Sequence, residues 1–300
     1  MRYKVLGRSG LEVSVVGIGT YPWGGRWGKT FNQSEVNDIF KVARDLGINF
    51  VDTAECYGDH VAERLIGNAL KGERERWIIA TKFGHRRVDF NTQEHHWSAP
   101  EVKEQLEDSL RALNTDYIDL YQFHSGSNDV FDNDELWTML DKEVGKGKIR
   151  SLGISLSTRS REWRVHQTES AVKVGASVIQ VVYNYLDREA EETVFPICRR
   201  DNLGVIARVP LESGLLTGKY KPGFEFPEND VRRQRYHGSA LEEVLRKVEE
   251  IKRTEIPNGM SMPVWAIAWV LKNPDVSAVI PGCKTVEQLK ENAKAAELEL

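Results

Sequence analysis

The 300-residue chain carries a formal net charge of −4, too mild an excess to point to nucleic acid or an anionic membrane as partner. Cys56, Cys198 and Cys283 are few, odd in number and far apart, which excludes a disulfide framework and a cysteine metal site and suits a reducing cytoplasm. No apolar run reaches membrane-spanning length, Met1-Arg2-Tyr3-Lys4 opens no secretory signal, and no composition break marks a linker, so one domain over 1–300 is expected.

Tyr3 to Val13, turning at Gly7 to Gly10, reads as a β-hairpin suited to plug the floor of a barrel. Val15 to Gly19 reads as a buried strand, and Val36, Ile39, Phe40, Ala43 and Leu46 recur at helical spacing. Gly47 stops that helix, since glycine takes a left-handed backbone freely. A strand ending at Asp52, a helix over His60–Leu70 and a strand over Trp77–Lys82 follow. Ser98-Ala99-Pro100-Glu101 is a capping box with proline in the first turn. Val102, Leu106, Leu110 and Leu113 form the apolar stripe of the helix it opens.

Strands at Ile118–His124, Ile149–Ser155, Val178–Tyr183 and Val205–Arg208 alternate with helices at Leu136–Val144, Arg159–Val174 and Glu191–Asp201. A long irregular segment comes next. Helices at Leu241–Ile251 and Val264–Leu271, a strand at Val276–Ile280 and a helix at Thr285–Ala296 complete the chain. Eight strands separated by helices favour a parallel sheet closed into an α/β (β/α)8 TIM barrel, with the N-terminal hairpin and extra helices added. An open doubly wound sheet is the alternative, weakened because no Gly-x-Gly-x-x-Gly follows any strand.

Active sites of such barrels gather where strands end at the C-terminal face. Asp52, Lys82, His124, Ser155 and Arg208 all fall at strand ends, and Tyr57 follows Asp52 by five residues. Alone, Lys82 reads as a surface lysine, Asp52 as a turn residue, His124 as a structural histidine and Tyr57 as packing. An acid, a phenol, an amine and an imidazole on one face are hard to explain as structure.

Gly47-Ile48-Asn49-Phe50-Val51-Asp52-Thr53-Ala54-Glu55-Cys56-Tyr57-Gly58, followed by Glu63 and Gly67, resembles the signature of the aldo-keto reductases. Gly17-Ile18-Gly19-Thr20, Gln180 with Tyr183-Asn184, the Gly214 to Lys219 run and Ile280-Pro281-Gly282 extend the resemblance from about Tyr3 to Leu298, closest to the bacterial NADPH-dependent branches. The resemblance implies a catalytic tetrad of Asp52, Tyr57, Lys82 and His124, with Tyr57 as the general acid in reducing aldehydes or ketones. A nearby Lys82 ammonium is expected to lower the Tyr57 pKa, because it favours the phenolate.

The resemblance also implies a site for NADPH/NADP+, with NADH possible. Gly19, Thr20, Tyr21, Asp52, Ser155, Gln180 and Arg208 would surround the nicotinamide end. Val209, Pro210, Leu211, Ser213, Lys219 and Arg232 would line the pyrophosphate. Gly282, Lys284, Gln288, Glu291 and Asn292 would hold the adenosine end, where a capping box at Thr285 to Gln288 places a helix N-terminus. Lys284 would meet the 2′-phosphate; its bland reading is a solvated lysine on a capped helix. The Lys219–Gly238 segment is long enough to be a lid, with Arg232, Arg233 and Arg235 either closing over pyrophosphate or forming a solvated basic patch.

For substrate, Trp23, Tyr57, Trp97 and His124 are expected to line the pocket, with Trp27, His95 and His96 in the same loops; packing of these loop aromatics onto the barrel is the equal alternative. Aromatic walls suit small carbonyls with apolar groups, and no basic cluster in the sequence singles out an acidic or phosphorylated substrate. Cys56 beside Tyr57 is either an oxidisable thiol or a small packed residue. A polyol or sugar dehydrogenase, and a nicotinamide-binding redox sensor resembling the potassium-channel β subunits, are the alternatives. The strand ends offer no spaced His/Asp/Glu set, so no metal is expected. A small carbonyl compound is the expected partner, and a monomer the default state because no apolar seam is evident.

Overall fold

A computed structural model describes residues Met1–Leu300. The hairpin pairs β1 (Tyr3–Val5) with β2 (Glu12–Ser14), antiparallel. Parallel strands then follow in neighbour order: β3 (Ile18–Gly19), β4 (Phe50–Asp52), β5 (Ile78–Phe83), β8 (Ile118–His124), β9 (Ile149–Ser155), β10 (Ala176–Val182), β11 (Gly204–Arg208) and β12 (Ala278–Val279). Between β5 and β8, β6 (His85–Arg87) and β7 (Gln93–His95) form an antiparallel hairpin of their own. The last barrel strand returns to the first. Gly17 N–H donates to the Val279 carbonyl at 2.8 Å, Val279 N–H to Val15 at 2.8 Å and Gly19 N–H to Pro281 at 3.1 Å. Chain order equals spatial order, as right-handed βαβ crossovers dictate.

Helices α1 (Gln33–Asp45) and α2 (Val61–Ala69) cover the first strands. They are followed by α3 (Ala99–Leu113), α4 (Asn128–Phe131), α5 (Asp134–Gly145) and α6 (Arg161–Glu169). Next come α7 (Ala190–Thr193), α8 (Phe195–Asp201), α9 (Arg232–Arg235), α10 (Gly238–Thr254), α11 (Met262–Lys272) and α12 (Val286–Lys294). The capping box at Ser98 is present: the Glu101 carboxylate accepts from the Ser98 N–H at 3.1 Å. The helix expected over Glu191–Asp201 is instead two short ones. Pro196 sits in the first turn of α8, and a proline there cannot continue a preceding helix.

The hairpin does plug the barrel floor. Leu6, Leu11 and Val13 pack against inward residues of the barrel strands, Phe50, Ala80, Leu120, Val178 and Ile206 among them. The entry is tight: a Cβ at Gly7, where φ is +50°, would meet the Gly204 nitrogen at 2.2 Å. The floor is thus sealed with apolar side chains, and the other end, where the strands finish, is left to polar ones. No helix is long and apolar enough to cross a membrane.

Candidate active site

Alternation along a strand sends residues i and i+2 to one face. At the carboxyl ends of the barrel strands that face carries a polar layer. Lys82, wholly buried on β5, donates to Asp52 Oδ1 at 2.6 Å, to the Thr53 carbonyl at 2.6 Å and to the Tyr57 hydroxyl at 3.2 Å. Asp52 Oδ2 accepts from Gln180 Nε2 at 2.7 Å and Gln122 Nε2 at 3.2 Å. Ser155 donates to Gln180 Oε1 at 3.3 Å. The strand-end prediction therefore brings Asp52, Tyr57 and Lys82 into bonding contact. Gln122 was missed, although it lies two residues before His124 and so shares its face.

Tyr57 stands on the turn after β4. Gly24 touches this turn so closely that a Cβ there would lie 2.8 Å from the Tyr57 carbonyl carbon. The Tyr57 ring meets Tyr21 edge-on at 5.0 Å and His124 at 6.3 Å between centroids. His124 lies 4.8 Å from the His85 ring and 3.8 Å, Nδ1 to Sγ, from Cys56. Glu55 fixes His85 by accepting the Gly84 and His85 N–H groups at 2.9 Å each.

Burial, then the Asp52 charge, pushes the Tyr57 phenol well above its ordinary value. This corrects the expectation that Lys82 lowers it. Burial lowers Lys82 itself, and its Asp52 partner opposes that shift. Burial, then His85 and Lys82, hold His124 well below the ordinary histidine value. Chemically, the layer presents a protonated phenol and a neutral imidazole to one point, with a buried ion pair behind them. Cys56 is packed, its thiol pushed up to about 12 by burial, so it is the small packed residue and not a poised thiolate.

A cavity of about 960 Å³ runs from this layer across the barrel mouth. Gly19, Thr20, Tyr21, Asp52, Gln180 and Arg208 line its inner end. Val209, Pro210, Leu211, Ser213, Lys219 and Arg232 line its middle, and Gly282, Lys284, Gln288, Glu291 and Asn292 its far end. Ser155 does not reach the cavity and lies behind Gln180. The middle wall is strained. Val209, Glu212 and Ser213 have φ of 59°, 43° and 56°, conformations unfavourable for side-chain-bearing residues. Asn184 holds this wall by donating to the Val209 carbonyl at 3.1 Å and Glu212 Oε2 at 2.7 Å.

Arg232 is not a free cation. Its guanidinium pairs with Asp230 at 2.5 Å and donates to the Ser213 carbonyl at 3.0 Å and the Tyr220 hydroxyl at 2.9 Å. Arg235 pairs with Glu212, and Arg233 donates to the Phe226 carbonyl. The 219–238 segment packs on an apolar cluster that includes Tyr220, Phe226 and Tyr236; Arg232 is buried there, while Arg233 and Arg235 stay exposed. It bonds across to the loop after β3, Val231 N–H to the Arg26 carbonyl at 2.9 Å. Lys219 and Lys284 carry no carboxylate partner, and Lys284 donates to the Trp27 carbonyl at 2.6 Å. Burial and then Arg232 lower the Lys284 pKa to about 8. Thr285 caps α12 by accepting from the Gln288 N–H at 3.3 Å, while Gln288 Oε1 accepts from the Lys284 N–H instead of closing the box.

The expected aromatic pocket is built only in part: Trp27 lines the cavity, while Trp23 and Trp97 do not. Trp23 is 1% exposed, packs against Phe31 and Phe40, and donates to the Cys283 carbonyl at 3.0 Å. Its size and apolar body draw it into the core. Trp97 packs on Phe83 and Phe123 and fills the space beside Gly84. His96 is tied to Glu101 and Glu94. Tyr57 and His124 do face the cavity, joined by Arg26, His85, Arg87 and Gln93, which the sequence reading did not single out. The sequence reading also saw no basic cluster here; the fold makes one, from Arg26, Arg87, Arg159 and Arg208. No group of three or more His, Cys, Asp or Glu side chains is arranged to hold a metal ion.

The profile of the "Aldo/keto reductase family" matches residues 15–300. The aldo-keto reductase YhdN of Bacillus subtilis is 30% identical, with 97% of this chain and 87% of that protein aligned. The NADH-specific methylglyoxal reductase of Escherichia coli is 30% identical over 100% of this chain and 95% of its own. Among solved structures, aldo-keto reductase AKR11C1 from Bacillus halodurans in its holo form superposes with a TM-score of 0.82, at 30% identity over 100% of this chain and 92% of that one. With the barrel, the strand-end polar layer and these likenesses together, the chain belongs to the aldo/keto reductase family of oxidoreductases, whose members use nicotinamide cofactors on small-molecule carbonyl compounds.

Proposed function

We propose that the protein reduces an aldehyde or ketone to an alcohol with NADPH, Tyr57 delivering the proton. The observation that carries this reading is the Lys82 ammonium held between Asp52 at 2.6 Å and the Tyr57 hydroxyl at 3.2 Å, at the inner end of a cavity of about 960 Å³ whose lining also includes Lys284 and Asn292.

The cavity fits a nicotinamide dinucleotide. Its volume lies near the upper end of the range for small-molecule sites, about 300–1,000 Å³. Unpaired Lys219 and Lys284 suit phosphates, and the Arg208 Nε–H is buried without a partner beside the polar layer. Asp52, Gln180 and Arg208 would flank the nicotinamide, the strained 209–213 wall the pyrophosphate, and Lys284 with the α12 N-terminus the 2′-phosphate. When bound, the dihydronicotinamide supplies the hydride and leaves oxidised.

The chain supplies the rest. His124, neutral at physiological pH, donates a hydrogen bond to the carbonyl oxygen and orients it. As the carbonyl carbon gains its C–H bond, the oxygen becomes an alkoxide, a far stronger base than a phenolate. Tyr57 transfers its O–H proton to that oxygen, and the phenolate left behind is stabilised by Lys82. Solvent reprotonates Tyr57 to close the cycle. The raised Tyr57 pKa keeps the donor loaded before each turnover. Buried unpaired cysteines suit a reducing, cytoplasmic setting.

NADPH over NADH rests on Lys284. The test follows NADPH and NADH oxidation in the presence of a reactive aromatic aldehyde and identifies the alcohol. Turnover faster with NADPH is expected. Tight NADPH binding with no carbonyl reduced would favour a binding or sensory role instead.

A further inference from the structure

Beside His124 a second cavity of about 400 Å³ opens off the first. The two share Arg26, His85, Arg87, Gln93, Ser125 and Arg208 as a common wall. It lies away from the Lys219–Lys284 end, under the β6–β7 hairpin and the turn that carries Arg159. No carboxylate and no apolar side chain lines it.

Its four guanidiniums lack counter-ions. Arg26 donates to the Tyr21 hydroxyl at 3.3 Å, Arg87 to the Thr92 carbonyl at 3.4 Å and Gln93 at 3.1 Å, and Arg208 to the Leu156 carbonyl at 3.0 Å. All those acceptors are neutral. The Nε–H groups of Arg26, Arg87 and Arg208 are buried and make no hydrogen bond. Asp89, at the hairpin tip, acts on Arg87 only from beyond ion-pair distance and spends its Oδ1 on the Asn91 and Thr92 N–H groups. Four other sheltered cations do have an acid: Lys82 with Asp52, Arg74 with Asp119, Arg164 with Glu189, Arg232 with Asp230. Guanidiniums stay charged, so four of them without an acid repel one another, and unmade bonds at buried donors are costly.

We infer that this annex is the subsite for an anionic group, carboxylate or phosphate, on the carbonyl substrate, read by Arg26, Arg87 and Arg159, with Arg208 shared with the reaction centre. Guanidinium forks match the paired oxygens of either anion. The inference deepens the proposed carbonyl reduction by naming its substrate class. A substrate whose anion sits in the annex has its carbonyl directed to His124 and Tyr57, since the two cavities share the wall at that point.

The test measures kcat/KM for 4-carboxybenzaldehyde against benzaldehyde, and for glycolaldehyde phosphate against glycolaldehyde. The expected result is a preference of tenfold or more for the charged member of at least one pair, expressed in KM and weakened by salt. Which pair shows the larger preference tells carboxylate from phosphate. Arg87→Gln and the exposed Arg159→Gln each reduce that ratio by about the same factor. Their thermal midpoints without ligand stay unchanged or rise, which a folding defect would not give. Equal kcat/KM for charged and neutral partners, or a preference that survives both substitutions, overturns the inference while the reductase reading stands. Calorimetry with benzoate and with inorganic phosphate separates the two claims further. Arginine-dependent binding without turnover of any carbonyl keeps the anion site and removes the reaction; no binding of either anion removes the site.

Discussion

The polar layer around Lys82 and the annex around Arg87 treat positive charge in opposite ways. At the layer, one buried ammonium has an acid at 2.6 Å, a carbonyl at 2.6 Å and a phenol at 3.2 Å. The charge is satisfied within the protein, and the surplus contact is a phenol able to move a proton. In the annex the guanidiniums of Arg26, Arg87 and Arg208 meet only neutral acceptors, Arg159 makes no side-chain hydrogen bond, and three Nε–H groups meet nothing. A compensated cluster holds its geometry without ligand and suits chemistry. An uncompensated one holds a place for something the protein itself lacks.

Breaking the compensation should have the largest effect. Asp52→Ala leaves a buried ammonium unpaired, and unfolding in denaturant is expected to show a loss of about 3–5 kcal/mol. A loss under 1 kcal/mol would mean that Lys82 finds another partner.

At the far end of the cavity the expected effect is smaller. Lys284→Ala should weaken NADPH about tenfold, or about 1.4 kcal/mol, and leave NADH nearly unchanged. Lys284 is cationic below about 8 and neutral above it, so NADPH affinity should fall between pH 7 and 9 while NADH affinity does not. Equal losses for the two cofactors on substitution would remove Lys284 from the 2′-phosphate.

Relieving the uncompensated cluster should move stability the other way. Arg87→Gln without ligand is expected to keep or slightly raise the midpoint of thermal unfolding. A fall of several degrees would mean that Arg87 is structural.

The smallest predicted effect is an absence. Tyr57 titrates above its ordinary value and His124 below its own. Above the ordinary histidine value the imidazole is already neutral, and below the ordinary tyrosine value the phenol is still protonated. At saturating cofactor, the rate of carbonyl reduction should therefore be flat between about pH 6.5 and 10. A limb falling near pH 8–9 would restore the expectation that Lys82 depresses Tyr57.

The same contrast separates what was legible in the sequence from what was not. Asp52, Lys82, His124 and Arg208 are each the last residue of an apolar strand or within one residue of its end, so counting strands was enough to bring them to one face. Tyr57 needed the resemblance as well, because it lies on a turn. The annex was hidden because Arg26, Arg87, Arg159 and Arg208 come from four separate loops or strand ends, and only the barrel gathers them. The β6–β7 hairpin was missed because His85-Arg86-Arg87 and Gln93-Glu94-His95 lack apolar alternation. Loop position alone leaves Trp23 and Trp97 as either pocket walls or packing, and a large indole near a barrel rim gains more by packing into the core. The Arg232–Asp230 pair is not legible in the sequence, because a local ion pair two residues apart leaves no periodic signal.

The most direct measurement compares NADPH consumption by the unmodified protein and by Tyr57→Phe, with an aldehyde that the unmodified protein reduces. Loss of the hydroxyl should lower turnover by about 10²–10⁴-fold, as expected for a general acid, with NADPH binding retained. Equal turnover in the two proteins would contradict the account, because the proton would then come from a group other than Tyr57.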